Sequence, residues 1–229
     1  MGVYYLSYFP REYRFHFNAH NLIVFGREGD DYLISDPIME QPTRLSSYEL
    51  ERVRFAKGAL APKGQIYYPV KGAPISDERI AKAIISGIKS NVNQMLRIPG
   101  WFAGVKGISY TARHIKKWRD KLGVEKAGLY LAQLVRMQEE IGTGGGGFRY
   151  IYAAFLQQAH PYVKRDELLA LSEKFTGAGD LWRTAAVQAA GIYKGRLGAQ
   201  ADFNQMSDYL NTIAGVEKDA FKALDKIKW

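Results

Sequence analysis

The stretch Lys71-Gly-Ala-Pro-Ile-Ser-Asp-Glu-Arg79 divides two kinds of sequence. Gly72 and Pro74 punctuate the chain. Ser76, followed by Asp77 and Glu78, reads as a helix start, with a hydroxyl to accept a backbone N–H and two carboxylates facing the positive end of the helix dipole. Beyond it apolar residues recur every three to four positions. That period predicts helices from Ser76 to about Leu96, then over about 108–122, 124–141, 147–159, 165–175, 180–193 and 203–227. No fixed repeat links them, so residues 73–229 read as an irregular all-α domain long enough to bury its own core.

Before the punctuation the pattern is that of strands and turns. Leu22-Ile-Val-Phe25 and Tyr32-Leu-Ile34 are rich in strand formers, with turn residues across Gly26–Asp30 between them, so 20–36 reads as a hairpin that Asp36-Pro37 ends. Ser46 or Ser47 caps a helix to about Ala56, with Glu49 near its first turn, and Gly58 stops it before a strand at Gln65–Val70. The order is three strands, a helix and a strand. Residues 1–72 and 73–229 thus form an α+β chain in two segregated blocks. Four short strands and one helix leave the first block's sheet incompletely covered, which predicts an exposed edge or apolar surface able to recruit a second chain, a homo-oligomer included.

The chain has 229 residues, 47% of them hydrophobic and 24% charged, enough apolar material for a packed core. No run approaches the length of a membrane-spanning helix, and the start has neither a cationic lead-in nor a lipidation site. The expectation is a cytoplasmic protein with no membrane partner. There is no cysteine, which excludes disulfides, thiolate metal sites and a cysteine nucleophile within these residues. The net charge of +9 is uneven: between Arg79 and Lys126 eleven Lys and Arg face only Asp120 and Glu125. Such a field gathers anionic partners. No nucleic-acid-binding motif accompanies it, so nucleic acid is not expected.

One constellation carries chemistry. His20 stands at the entrance of the first hairpin strand and Asp36 at the exit of the second, and an antiparallel pair brings those ends side by side. A carboxylate on one ring nitrogen fixes the tautomer and leaves the other nitrogen to take a proton from a nucleophile. A purely structural His–Asp hydrogen bond at a strand end uses the same spacing.

His20-Asn-Leu-Ile-Val-Phe-Gly26 followed by Tyr32-Leu-Ile-Ser-Asp36-Pro37 resembles the His-strand-turn-strand-Asp-Pro signature of papain-like cysteine folds, the bacteriocin-processing peptidases among them. Tyr4-Tyr5-Leu6, Phe17-Asn-Ala-His20, Leu50–Gly58 and Pro62–Tyr67 resemble more closely the N-terminal domain of butirosin biosynthesis protein H and its bacterial relatives. Ile141–Tyr150 and Ala178-Gly-Asp-Leu-Trp-Arg183 resemble the helical domain of unknown function that follows it. The resemblance implies a partial papain-like sheet block and an acyltransferase that moves an acyl group from a carrier-protein thioester, through a cysteine, to an amine. His20 would be the base and Asp36 its orienter. The nucleophilic cysteine belongs to the first half of such a domain, so the resemblance implies a fragment or one member of a split pair, inert by itself, whose partners are a Cys-bearing N-terminal half and an acidic carrier protein docked on the Arg79–Lys126 patch. A noncatalytic scaffold and a papain-like peptidase are the alternatives.

Thr143-Gly-Gly-Gly-Gly-Phe-Arg149 opens a predicted helix. Backbone amides at Gly144, Gly145 and Gly146, assisted by Arg149, are placed to hold an anion such as the phosphate of a carrier's phosphopantetheine arm, but the motif is nonspecific and a flexible helix–helix joint is the favoured reading. No other cofactor is expected. His16, four residues before His20 in an extended segment, does not select for a metal, and none is expected. His114 and His160 read as ordinary surface histidines. Tyr4, Tyr5, Tyr8, Phe9, Tyr13, Phe15 and Phe17 form an aromatic entry suited to a core or a cleft lining.

Overall fold

Strands β1 (Ile23–Glu28) and β2 (Asp31–Ser35) run antiparallel and are joined by Gly29-Asp30, with Gly29 at φ +60°, where a side chain would be strained. β3 (Thr43–Ser46) pairs with the other edge of β2, setting Tyr32 opposite Leu45 and giving the sheet order β1-β2-β3. In this computed structural model all residues are described except 69–71, 73 and 141–143. The end of the strand expected at 65–70, Lys71 and Ala73 of the punctuation, Ile141 at the end of helix 124–141, and Thr143 of the glycine motif lie outside the described residues. The described chain is α+β, with a small antiparallel sheet and a mainly helical remainder.

The chain divides into two compact units, Met1–Ala73 and Pro74–Trp229. In the first, one face of the sheet supplies Ile34 and Leu45 to a core shared with Val3, Leu6, Phe9, Leu50 and Val53. Helix α1 (Ser47–Arg54) follows β3 directly. Ser46 accepts the Glu49 N–H and Glu49 accepts the Ser46 N–H at 2.9 Å, a reciprocal cap that also holds the Glu49 carboxyl below its ordinary value. Two expectations need correction. Gly26–Glu28 is strand rather than turn, because Arg27 faces Tyr32 across the ladder and Arg44 of β3 bonds Glu28 at 2.6 Å, while a bulge at Phe25 absorbs the register shift. Gln65–Tyr68 forms no strand: the left-handed pair Lys63 and Gly64 is tied to Arg54 at the end of α1 by hydrogen bonds of 2.8 and 2.9 Å, away from any sheet edge.

The second unit is helical. α2 (Asp77–Arg97) starts at Ser76, whose hydroxyl accepts the Arg79 N–H. It is followed by α3 (Gly104–Ile115), α4 (Trp118–Leu122), α5 (Val124–Val135), α6 (Arg149–Val163), α7 (Glu167–Tyr193) and α8 (Gln200–Asp225). α7 and α8 run through the middle and pack on each other and on most of the rest. One stretch of core gathers Leu156, Leu168, Phe175 and Phe221, and another Ile115, Leu131, Trp182 and Phe203. The expected helix over 108–122 breaks at Lys116 and Lys117 into α3 and α4, and the one from 124 passes into a wide π turn at Arg136–Glu140. The expected helices at 165–175 and 180–193 are one. Gly177 and Gly179, in the interval between the two expected helices, lie inside α7, and Gly179 admits a close neighbour: a Cβ there would stand 2.7 Å from the Tyr150 ring.

Candidate functional site

The hairpin register brings His20 and Asp36 together. Ile23 pairs with Ser35, so Asp36 and the residues just before Ile23 leave the ladder at the same end. His20 Nε2 lies 2.7 Å from Asp36 Oδ2, and the carboxylate is only 4% exposed as a residue. A carboxylate accepts and does not donate, so the proton of that bond sits on Nε2, and in the neutral ring the lone pair is then on Nδ1. Asp36 is held from two further directions: Tyr8 donates its hydroxyl to Oδ2 at 2.6 Å, and the Ile38 N–H donates to Oδ1 at 2.9 Å. Burial, and then the carboxylate it faces, push the Tyr8 hydroxyl well above its ordinary value, so it keeps its proton and remains a donor. Phe9 packs its ring edge-to-face with the imidazole. The His20 imidazole is therefore oriented, with Nδ1 as the nitrogen not engaged by Asp36.

Sequence spacing had grouped Tyr8 with the aromatic entry. Its contact with Asp36 spans 28 residues, and no local signal distinguishes it from Tyr4, which stacks on His16, or from Tyr13, which is exposed. Phe9 of the same run is in the core.

The glycine motif is a polar joint. Gly144, Gly145, Gly146 and Gly147 all have positive φ, between +54° and +82°, a run that side-chain-bearing residues do not sustain. The Gly146 N–H donates to Glu139 Oε1 at 3.1 Å, and Arg183 lies 3.7 Å from the same carboxylate. Arg149 places Nε and Nη2 each 2.7 Å from Glu217, whose side chain is completely buried and which also accepts the Trp182 indole N–H at 2.8 Å. Tyr150 donates to Asp180 at 2.7 Å and lies under the Arg183 guanidinium. The structure thus gives Arg149 and Gly146 carboxylate partners of their own, Glu217 and Glu139.

The remaining histidines have neighbours. His114 packs against Tyr110 with the rings tilted by 34°, and His160 bonds Asp166 at 2.7 Å across the turn between α6 and α7. Among the described residues no group of three or more His, Asp or Glu is placed to hold a metal ion, and no helix is long and apolar enough to cross a membrane.

Comparison with known proteins agrees with two parts of this picture. Residues 1–37, which end just past Asp36, match the family described as butirosin biosynthesis protein H, N-terminal. No curated protein matches the chain. Residues 48–224, which include the glycine motif and its carboxylate partners, match the domain of unknown function DUF4872, and since that match covers most of the chain, the chain belongs to the DUF4872 family.

Proposed function

We propose that His20 and Asp36 are the base and its orienter in cysteine-dependent acyl transfer, from a carrier-protein thioester to an amine. The observation that supports this best is the buried carboxylate held by Tyr8 and Ile38, with its Oδ2 2.7 Å from His20 Nε2. The similarity of residues 1–37 to the N-terminal domain of butirosin biosynthesis protein H supports it independently. In this reading Nδ1 takes the proton of a cysteine thiol. The thiolate attacks the thioester carbonyl, the carrier thiol leaves with a proton, and an amine then releases the acyl group as an amide. These 229 residues contain no cysteine, so the nucleophile is supplied by polypeptide outside this sequence.

The test uses protein purified from its natural source. A thiol-reactive probe labels the species that carries His20, or a chain bound to it, and amide formation from an acyl-phosphopantetheine thioester is lost in His20→Gln and in Asp36→Ala while helical content is kept. Turnover that survives His20→Gln, or the absence of any labelled thiol, overturns the reading in favour of a noncatalytic scaffold. Release of the free acid in place of the amide overturns the amine acceptor.

A further inference from the structure

The basic region around Arg79–Lys126 is sorted by the fold. Lys82 pairs with Glu78, Arg97 with Asp225, Lys116 with Asp208 and Arg119 with Asp120. The other seven, Arg79, Lys89, Lys106, Arg113, Lys117, Lys121 and Lys126, are exposed and pair with no described acidic residue, and three of them, Lys106, Arg113 and Lys117, lie close together along the chain. Lys106, Tyr110, Arg113 and His114 follow helical spacing, so they occupy one face of α3, opposite the buried Val105, Ala112 and Ile115, and Lys117 lies in the turn that follows. α3 contains no acidic residue.

At the start of this face stand two aromatic rings. Trp101 and Phe102, in the loop between α2 and α3, are 57% and 68% exposed. Trp101 lies against Tyr110 with ring centroids 4.1 Å apart, and Tyr110 lies against His114 at 3.7 Å. The loop is fixed to the helix by close backbone approach: a Cβ on Gly107 would sit 2.5 Å from the Phe102 carbonyl, and one on Gly104 would sit 2.4 Å from that of Met95. The rings are therefore presented to solvent by a preorganised loop.

We propose that this face of α3, with the Trp101-Phe102 tip, adsorbs to an anionic membrane surface. A lipid headgroup layer offers negative charge to the three cations and, just beneath it, an apolar zone that accepts the two exposed rings. Single-stranded nucleic acid fits less well, because Tyr110, the ring central to the stripe, is packed between the tilted rings of Trp101 and His114 rather than open to a base. An acidic protein satisfies the cations but leaves the exposed tip without a role. Adsorption of this kind needs no spanning helix, so it stands apart from the reasoning that set membranes aside.

The experiment is co-sedimentation of the full chain with phosphatidylcholine vesicles and with vesicles of equal parts phosphatidylcholine and phosphatidylserine. Binding is expected to the mixed vesicles alone and to fall as salt is raised. At about fivefold per cation, the triple variant K106Q/R113Q/K117Q binds roughly a hundredfold more weakly. W101S/F102S also weakens binding, and its circular dichroism reports whether the fold is kept. Absence of binding, equal binding to both vesicles, or binding that the triple variant retains overturns the proposal. Capture of soluble polyglutamate without vesicle binding overturns it in favour of an acidic protein.

Discussion

Glu217 is the residue whose loss the second unit should feel most. Its side chain has no exposure and its two oxygens receive three N–H groups, from Arg149 Nε, Arg149 Nη2 and Trp182 Nε1, at 2.7, 2.7 and 2.8 Å. In Glu217→Gln one oxygen keeps its donors, but the new amide NH2 faces Arg149 Nη2, donor against donor, and the guanidinium loses its counter-charge while 82% of its surface stays buried (18% exposed). Removing one partner of a buried ion pair costs about 3–5 kcal/mol. In a domain of this size that lowers Tm by roughly 10 °C. Urea unfolding followed by far-ultraviolet circular dichroism measures it, with the midpoint falling at unchanged slope. Replacing both partners, R149M/E217L, removes the stranded charge. The remaining loss should then be smaller, about 1–3 kcal/mol, from the Trp182 indole left without its acceptor. A loss below about 1 kcal/mol for Glu217→Gln would refute the reasoning, because the pair would then be exchanging with solvent despite its burial.

Two glycines of α7, two residues apart, should respond in opposite directions. Gly177 has nothing within 4 Å of an added Cβ, so Gly177→Ala gains about 1 kcal/mol from helix propensity, whereas Gly179→Ala drives a methyl into the Tyr150 ring at 2.7 Å and loses about 1–3 kcal/mol. Thermal melts of the two variants decide it, and equal shifts would mean that the Tyr150 contact is absent. Tyr150 also carries a pH signature: partial burial, and then its bond to Asp180, push its hydroxyl up to about 12. A raised value means that the folded form holds the proton more tightly. The contribution is complete below about pH 10, the ordinary tyrosine value, and is lost as the pH rises toward 12. Tyr150→Phe should show a shallower fall of Tm in that window, and an unchanged slope would count against the Asp180 contact.

What was legible in the sequence is what neighbouring residues decide. A hairpin with a two-residue connection delivers the residues at its two ends to the same place, so spacing alone put His20 beside Asp36, and the structure has them 2.7 Å apart. Helix starts at Ser46 and Ser76 were equally local, since a cap needs only a hydroxyl and the amides three residues on. The interval expected between helices 165–175 and 180–193 holds Gly177 and Gly179, and glycine has two uses, ending a helix or admitting a close neighbour. Only the position of Tyr150, on another helix, says which applies.

The sequence by itself therefore determined the α+β class, the helical remainder and the meeting of His20 with Asp36, because pattern and spacing act over a few residues. The tertiary structure alone decided that Tyr8 completes the hold on Asp36, that Arg149 spends its charge on Glu217 68 residues away, and that the glycine run donates to Glu139. Those choices depend on which distant chains the core brings together. Burial then enforces them, since a charge or polar group taken out of water must find its partner inside.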